Sequence, residues 1–383
     1  MRKNLVFVCL AILLAMTLIT SCDNSNTTPS SRGLALVVNE EGLKNAIEAG
    51  KDVLLFNDIA LSESVKINDL KTIIIHLNNH TISAPDRPFI ISNANVTFTG
   101  PGTITETLND QYGAIHVAGS NTESENYTVV NIGKDVVLKG WSGIFIAKDA
   151  EGQYKNYGIV INMSGKIIVP AEESHVSGHG IYINGQNKNT EGNVPIINLN
   201  GASISSTGTG IYAAGYAKWN LNDTNITAPN SLSIKAGTFV INSGEYTSTG
   251  EFADPSEDTS NGSVETGAAL SMTSNDGYAH KIDVTVNGGT FNSINGYAVY
   301  EGIPNKTGSN STPVATQSYV TLKITNGNFV GNSEKGAIKL SNIINKKTIS
   351  GGSFSSNLSS DYLVDGYKTQ ENNNRWIVIK NNT

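Results

Sequence analysis

The chain has 383 residues, of which 38% are apolar and only 7% aromatic, and glycine occurs 38 times. With 26 basic against 33 acidic residues its formal net charge is −7, a surface that repels nucleic acid and other acidic polymers, so no nucleic-acid partner is predicted. The two cysteines, Cys9 and Cys22, lie near the start, which excludes a disulfide framework or thiolate metal site in the remaining chain.

Residues 1–21 predict a signal peptide, because a basic start precedes an apolar stretch too short to span a bilayer comfortably. The run Leu18-Ile19-Thr20-Ser21-Cys22 resembles the lipobox of bacterial lipoproteins, in which the thiol receives a diacylglycerol and becomes the new N-terminus. The resemblance implies lipidation at Cys22, a membrane partner for the acyl chains and a flexible tether over residues 22–33. An ordinary secretory signal is the alternative. Removing the two basic residues of the leader leaves 24 basic and 33 acidic residues, a net charge of −9.

Residues 34–62 predict an N-terminal cap made of a helix and a first strand. The helix is expected over residues 39–50, with Asn39 as its N-cap and Gly50 as its stop. Its apolar face comprises Leu43, Ala46 and Ile47. A solenoid exposes apolar core and unpaired strand edges at its ends, so this helix is predicted to cover the first coil. A free surface helix is the alternative.

Residues 63–383 contain two alternating phrases that predict a parallel β-helix. In one, a glycine precedes alternating apolar residues, starting at Gly113, Gly143, Gly180, Gly210, Gly267, Gly296 and Gly336. In the other, an apolar strand ends in asparagine and a glycine turn, as in residues 196–201. A repeat of about 30 residues with variable insertions indicates a solenoid. Recurrent asparagines would stack at the turns, with one rung added about every 4.8 Å.

Two stretches resemble a known group of proteins. The stretch from Gly42 to Ile82, which ends in Leu77-Asn78-Asn79-His80-Thr81-Ile82, resembles the opening of many right-handed β-helix proteins of the pectin-lyase-like superfamily. Residues 349–357, 362–367 and 375–379 resemble the last coil of bacterial cell-surface β-helix proteins. The resemblance covers roughly residues 34–383 and implies an all-β fold, a right-handed parallel β-helix solenoid with a short N-terminal capping helix. Such repeats specify fold and not chemistry.

The superfamily includes pectate lyases and polygalacturonases, so the resemblance allows an enzyme. Gly178-His179-Gly180 matches the Gly-His-Gly motif of polygalacturonases, but the paired carboxylates that hydrolysis requires do not accompany it. Pectate lyases use calcium and an arginine base, whereas arginine occurs here only at 2, 32, 87 and 375. We therefore predict no catalytic residue, no cofactor and no metal site. His179 is interpreted as a turn residue, and a catalytic role for it is the alternative.

Alternation within the glycine phrases predicts an outward column of side chains. If the flanking isoleucines point inward, then Phe145, Tyr182 and Tyr212 point outward at matching positions on successive coils. His116 would precede them, and Tyr300 and Lys339 would follow after a gap. Aromatic faces along a flat sheet suit the apolar faces of sugar rings. The alternative is an aromatic ladder covered by loops.

Most long insertions follow the glycine phrase, so they are expected to leave the solenoid along one edge beside this column. They are residues 118–126, 147–156, 184–194, 273–279 and 301–318. Tyr127, Tyr154, Tyr157, Tyr216 and Trp219 lie in or near these insertions, and Trp219 is added to the predicted ligand-binding residues. Tolerated surface insertion is the alternative. The acidic insertion 251–258 is predicted to be a solvated loop, since it lacks the regular spacing of a calcium-binding loop.

Together these patterns favour a monomeric lipoprotein of the bacterial cell envelope, at the outer membrane or cell surface, whose β-helix binds a polysaccharide or another surface ligand without catalysis, as an adhesin does. A polysaccharide lyase or glycoside hydrolase acting on uronate-containing polymers is one alternative. A passive structural surface protein is the other.

Overall fold

The computed structural model describes residues 32–108, 112–119, 128–147, 157–170, 178–185, 190–254, 266–273, 281–302, 320–340 and 347–381. Residues 34–383 form one unit by their contacts. The predicted signal peptide, Cys22 and nearly all of the tether lie outside the described residues.

The chain forms a parallel β-helix, as predicted. It visits three sheets in turn, so that each coil contributes one strand to each sheet, and neighbouring strands run parallel until the C-terminal hairpin. Sheet 1 has eleven strands: β1 (Leu34–Val37), β2 (Asp52–Leu55), β5 (Thr72–His76), β8 (Asn95–Thr99), β11 (Thr128–Ile132), β14 (Ile159–Met163), β17 (Ile196–Asn200), β20 (Lys218–Asn222), β23 (Gly237–Ile241), β26 (Ile282–Val286) and β29 (Val320–Ile324).

Sheets 2 and 3 complete each coil. Sheet 2 has thirteen strands: β3 (Ile59–Ala60), β6 (Thr81–Ala84), β9 (Gly102–Glu106), β12 (Val136–Lys139), β15 (Lys166–Ile168), β18 (Ser203–Ser205), β21 (Thr224–Ala228), β24 (Gly244–Glu251), β27 (Thr290–Asn295), β30 (Asn328–Val330), β32 (Ser353–Phe354), β33 (Tyr367–Asn372) and β34 (Arg375–Lys380). Sheet 3 has ten: β4 (Val65–Ile67), β7 (Phe89–Ser92), β10 (Gly113–Ala118), β13 (Ser142–Ile146), β16 (His179–Ile183), β19 (Thr209–Ala213), β22 (Asn230–Ile234), β25 (Leu270–Met272), β28 (Val299–Glu301) and β31 (Ile338–Lys339).

The predicted capping helix is confirmed as α1 (Glu40–Glu48). Asn39 is its N-cap, and the Asn39 side chain accepts a hydrogen bond of 2.8 Å from the backbone N–H of Gly42, which satisfies a donor left free at a helix start. Its apolar face, predicted as Leu43, Ala46 and Ile47, is buried in the core at the end of the first coil. No helix in the described part of the chain is long and apolar enough to cross a membrane.

The recurrent glycines mark a crowded corner where the chain enters sheet 3. A Cβ added to Gly143 would lie 2.6 Å from Ile167 on sheet 2, closer than van der Waals contact allows. Gly180 and Gly210 meet Ile204 and Ile226 in the same way on the next two coils. Glycine recurs because the backbone passes directly over a core isoleucine at this corner.

Asparagine ladders run along the solenoid, as the repeated asparagines predicted. At the turn between sheets 1 and 2, the amide groups of Asn222, Asn242 and Asn287 each donate to the asparagine of the preceding coil, at 2.8, 2.8 and 2.9 Å. A second ladder lies on the outer face of sheet 1, where Asn198 donates to Asn162 at 2.8 Å and accepts from Asn220 at 2.8 Å. Regular rung spacing lets one amide satisfy the next.

The last coil is closed by a hairpin. Strands β33 and β34 pair antiparallel, and β34 pairs antiparallel with β32. Arg375 at the start of β34 donates to the Ser353 hydroxyl at 3.0 Å, to the Ser353 carbonyl at 2.8 Å and to the Asn328 side chain. Burial lowers the pKa of this guanidinium. The hairpin covers the end of sheet 2 that would otherwise present an open edge.

Candidate ligand-binding face

The register of sheet 3 aligns one outward position on all ten strands. It is occupied by Lys66, Ile90, His116, Phe145, Tyr182, Tyr212, Ser233, Ser271, Tyr300 and Lys339. The flanking isoleucines, such as Ile144 and Ile146, are fully buried in the core. The predicted outward column is therefore confirmed in position, and two serines fill its gap.

Three rings of the column form a stack that we call the outer ladder: Phe145, Tyr182 and Tyr212. Their centroids are 5.0 and 5.4 Å apart and their planes differ by 3° and 4°. Phe145 and Tyr212 are only 9% and 8% exposed, whereas Tyr182 is half-buried. The ring faces thus meet each other and are not open to a sugar, contrary to the expected platform, because parallel strands place successive rings in van der Waals contact.

The start of the outer ladder is fixed by a polar network around His116. The Nε2 of His116 lies 3.1 Å from the Ala147 carbonyl oxygen, which can only accept, so Nε2 carries the proton. The Nδ1 then accepts from Arg87 at 3.2 Å. Arg87 also pairs with Asp86 at 3.0 Å and lies 3.9 Å above the centre of the Tyr112 ring. Arg87 is therefore held in place by a carboxylate, an imidazole and an aromatic face.

Three half-buried side chains lie around the ladder: Tyr112, Trp141 and His179. Together with Tyr182 of the ladder itself they form what we call the aromatic cluster, and Tyr112 joins it through an edge-on contact with Phe145 at 5.6 Å. The Trp141 ring is 5.1 Å from His179 at 84° and 6.1 Å from Tyr182 at 58°, so its plane is turned away from the stacking direction. The Trp141 backbone N–H donates to a Glu106 oxygen at 2.9 Å, which fixes its position. Sequence reasoning missed Tyr112 and Trp141. Their signal was an aromatic residue just before the strand on two successive coils.

His179 is the first residue of β16, in register with Ser142 and Thr209, and is not in the turn that was predicted. Its ring stacks on Tyr212 at 4.9 Å and on Tyr182 at 5.3 Å. Burial lowers the pKa of His179 to about 3, because desolvation among the neighbouring rings disfavours the imidazolium. Its Nδ1 is buried and has no hydrogen-bond partner among the described residues. The histidine is neutral at physiological pH.

The far end of the column is charged. The Tyr300 hydroxyl donates to Asp254 at 3.1 Å, and the Lys339 ammonium lies 3.4 Å from the other Asp254 oxygen. Burial, with the Asp254 charge next, raises the pKa of Tyr300. Phe252 packs edge-on against Tyr297 at 5.2 Å. The first part of the acidic insertion therefore packs on the column and is not simply solvated as predicted, while residues 255–258 lie outside the described residues.

Trp219 does not belong to this face. It lies in β20 in register with Ile197 and Phe239, is 1% exposed, and stacks on Phe239 at 5.1 Å inside the core. Its prediction as a residue near a loop was wrong because the strand continues through it with polar and apolar residues alternating. Tyr216 is also buried, in a small apolar cluster with Val194 and Ala236.

The long insertions leave the solenoid at one corner, as predicted. The chain departs from the ends of β10, β13, β16, β25 and β28 on sheet 3 and returns at sheet 1 each time. Most of their residues, with Tyr127 and Tyr154, lie outside the described residues. The corner borders the outward column.

Comparisons with protein-family models, with curated proteins and with solved structures find no match to this chain. Among the described residues, no group of three or more His, Cys, Asp and Glu side chains is arranged to hold a metal ion.

Proposed function

We propose that this protein is a lipid-anchored protein of the bacterial cell envelope whose sheet 3 binds a surface glycan without catalysis. The observation that carries the proposal is the aromatic cluster, which gathers half-buried Trp, Tyr and neutral His side chains beside one continuous outward column. The lipobox resemblance at Cys22 supports the anchor, and the resemblance to cell-surface β-helix proteins supports the location.

The chemistry of the aromatic cluster suits a sugar. Trp141 stands out of the parallel stack and is half-buried, so a sugar ring can pack against it with its apolar C–H face. Tyr112, next to β10, and Tyr182, on β16, add hydroxyl groups on the two coils that flank β13. Neutral His179 adds a polar edge without the cost of desolvating a charge. Glycans are bound by this combination of aromatic surface and few directed hydrogen bonds.

The arginines of the β-helix are engaged in structural contacts. Arg87 is paired with Asp86 and lies over Tyr112, and Arg375 anchors the C-terminal hairpin. For Arg87 or Arg375 to act as a base, as an arginine does in pectate lyases, it would have to lose these contacts. This favours binding over the lyase chemistry that the pectin-lyase-like resemblance allows.

The test measures affinity of the chain from Cys22 onward for a panel of polysaccharides, with Trp141→Ala and its matched control Trp376→Ala on β34. We expect at least a tenfold loss of affinity for Trp141→Ala and parental affinity for Trp376→Ala, with both variants showing the parental far-UV dichroism.

Equal affinity of both variants, or no binding by the parent, would refute the proposed site. The aromatic cluster would then have a structural role only. Release of unsaturated or reducing sugar ends from uronate polymers would instead establish an enzyme.

A further inference from the structure

The first two coils carry an exposed apolar surface on sheet 1. Leu34, Leu36 and Val38 point outward and are 45%, 47% and 52% exposed. Leu36 lies opposite half-buried Leu54 in the register of β1 and β2, and Phe56 lies one step beyond the last registered pair. We call these five side chains the first-coil patch. It is contiguous because the register places its members side by side.

On the coils from β8 to β20, the central column of the outer face of sheet 1 carries polar side chains. Thr97, Asn131, Asn162, Asn198 and Asn220 follow one another in the central column of that face, on the coils after the patch. Their side chains bond to one another, so this surface is already satisfied.

Apolar side chains also face outward on later coils of sheet 1, as at Val129, Val160 and Ile196, but these are half-buried. Among the described strand residues of sheet 1, exposed large apolar side chains are confined to β1, at Leu34 and Leu36, and Val38 follows directly after that strand. A contiguous exposed apolar patch of this kind is often a functional contact surface.

We propose that the first-coil patch lies against the lipid bilayer. This inference rests on the proposed anchor at Cys22. Only 11 residues separate Cys22 from Leu34, so the start of β1 lies within about 40 Å of the anchored thiol even when that segment is fully extended. The flexible tether that the sequence predicts would have an r.m.s. span of only about 20 Å at this length. An anchor at Cys22 would therefore keep the patch within reach of the membrane surface.

A bilayer fits this patch better than a second copy of the chain does. Five partly exposed side chains offer a few hundred Å², whereas a stable protein complex buries about 800 Å² on each partner. A bilayer interface requires no matched shape, and an anchored patch needs little affinity of its own because the lipid supplies it. Without the anchor, the patch binds membranes weakly, and the acidic chain is repelled by anionic lipids.

The experiment uses tryptophan as a depth probe. Cys22 is the only cysteine of the chain from residue 22 onward, so this chain can be coupled through it to maleimide-lipid in phosphatidylcholine vesicles, whether or not cells lipidate it. Leu36→Trp reports on the patch, and Ile294→Trp, 51% exposed on β27, is the matched control. Brominated phosphatidylcholine quenches only tryptophans that contact lipid. The parent supplies the background of Trp141, Trp219 and Trp376.

We expect quenching of the residue-36 probe to exceed that of the residue-294 probe at least twofold. Equal quenching at the two sites would overturn the proposal. So would a residue-36 probe whose emission is already blue-shifted in the free protein and does not change with vesicles, because that tryptophan would then be surrounded by protein. The mass of Cys22 in chain made by bacterial cells tests the anchor separately. A quenched patch with an unmodified thiol would uphold the contact surface and refute the native anchor.

Discussion

Two aromatic ladders with the same geometry occupy opposite sides of the β-helix wall. The inner ladder, on sheet 2, consists of Tyr246, Phe291, Phe329 and Phe354, with centroids 4.8, 5.1 and 4.8 Å apart. The outer ladder on sheet 3 has spacings of 5.0 and 5.4 Å. All rings of the inner ladder are fully buried, whereas Tyr182 of the outer ladder is half-buried. The rung spacing produces the stack in both, and the face on which the ring lies decides what the stack does.

The inner ladder therefore belongs to the stability of the core, while the outer ladder supports a surface. Removing an inner ring leaves a cavity that neighbouring coils cannot collapse around, because the backbone rungs hold them apart. Removing an outer ring leaves a space that water and movable side chains can fill. The first two predictions below separate these two roles, and the third extends the comparison to a ladder of hydrogen bonds. They run from the largest expected effect to the smallest.

Phe291→Ala and Phe145→Ala remove the same atoms from the two ladders. We expect Phe291→Ala to lower the free energy of unfolding by about 3–5 kcal/mol and Phe145→Ala by roughly half as much, because Phe145 lies on the outer face, where neighbouring side chains can move into the space. Denaturant titration followed by dichroism measures both values. Equal losses would show that the outer ladder is part of the core in energetic terms.

The second prediction concerns pH, because the His179 ring packs on two rings of the outer ladder and against Trp141. Its folded pKa of about 3 lies below the ordinary value of 6.5, so between these values the unfolded chain binds a proton that the folded chain does not. Stability must then fall as the pH decreases from 6.5 towards 3, by about 2–3 kcal/mol at pH 4.5.

His179→Gln removes this titration and should be less sensitive to pH by that amount. Melting temperatures at pH 7 and pH 4.5 give the comparison, with Phe291→Ala as a control that keeps the histidine. A parallel decline of parent and His179→Gln between the two pH values would contradict the assignment.

The third prediction uses the asparagine ladder on sheet 1, which repeats at the same spacing with hydrogen bonds in place of ring contacts. Asn198→Ala breaks the bonds to Asn162 and Asn220, and we expect a loss of about 1–2 kcal/mol in the free energy of unfolding. Thr285→Ala, in the same column, is the matched control with an expected change below about 0.5 kcal/mol. A smaller loss for Asn198→Ala than for Thr285→Ala would show that the amide ladder adds no stability.

Much of the architecture could be predicted because the sequence signals for it are either local, as at the capping helix, or repeated from coil to coil. Asn39, the apolar face of α1 and the glycine phrases each signal one element, and the register then follows from keeping apolar residues inside. Phe145 and Phe291 each lie two residues after a glycine, yet Phe145 faces outward and Phe291 faces the core. The difference arises because Gly143 itself lies over a core isoleucine at the corner of the coil. The face is identified by the alternation of large apolar residues around each phenylalanine, and not by its distance from the preceding glycine.

The candidate site could be predicted less well because it depends on contacts between coils. The outward column followed from alternation, but the mutual covering of its ring faces depends on ring rotation, which no residue pattern encodes. Trp219 was misplaced because its aromatic character was given more weight than the alternation around it. Trp141 was missed because it precedes the strand and joins His179 only through the fold.

The closed C-terminal end has a mechanical consequence. In a parallel β-helix the hydrogen bonds between strands run along the long axis of the solenoid. If sheet 3 is held by a ligand and the chain is pulled at residue 33, the force therefore acts first on the hydrogen bonds between β1 and β2. Arg375 and the antiparallel hairpin brace the opposite end, which such a pull does not load. Under force we expect the chain to lengthen coil by coil from its N-terminus, while the coils that hold Trp141 and Tyr182 keep their shape until the earlier coils have opened.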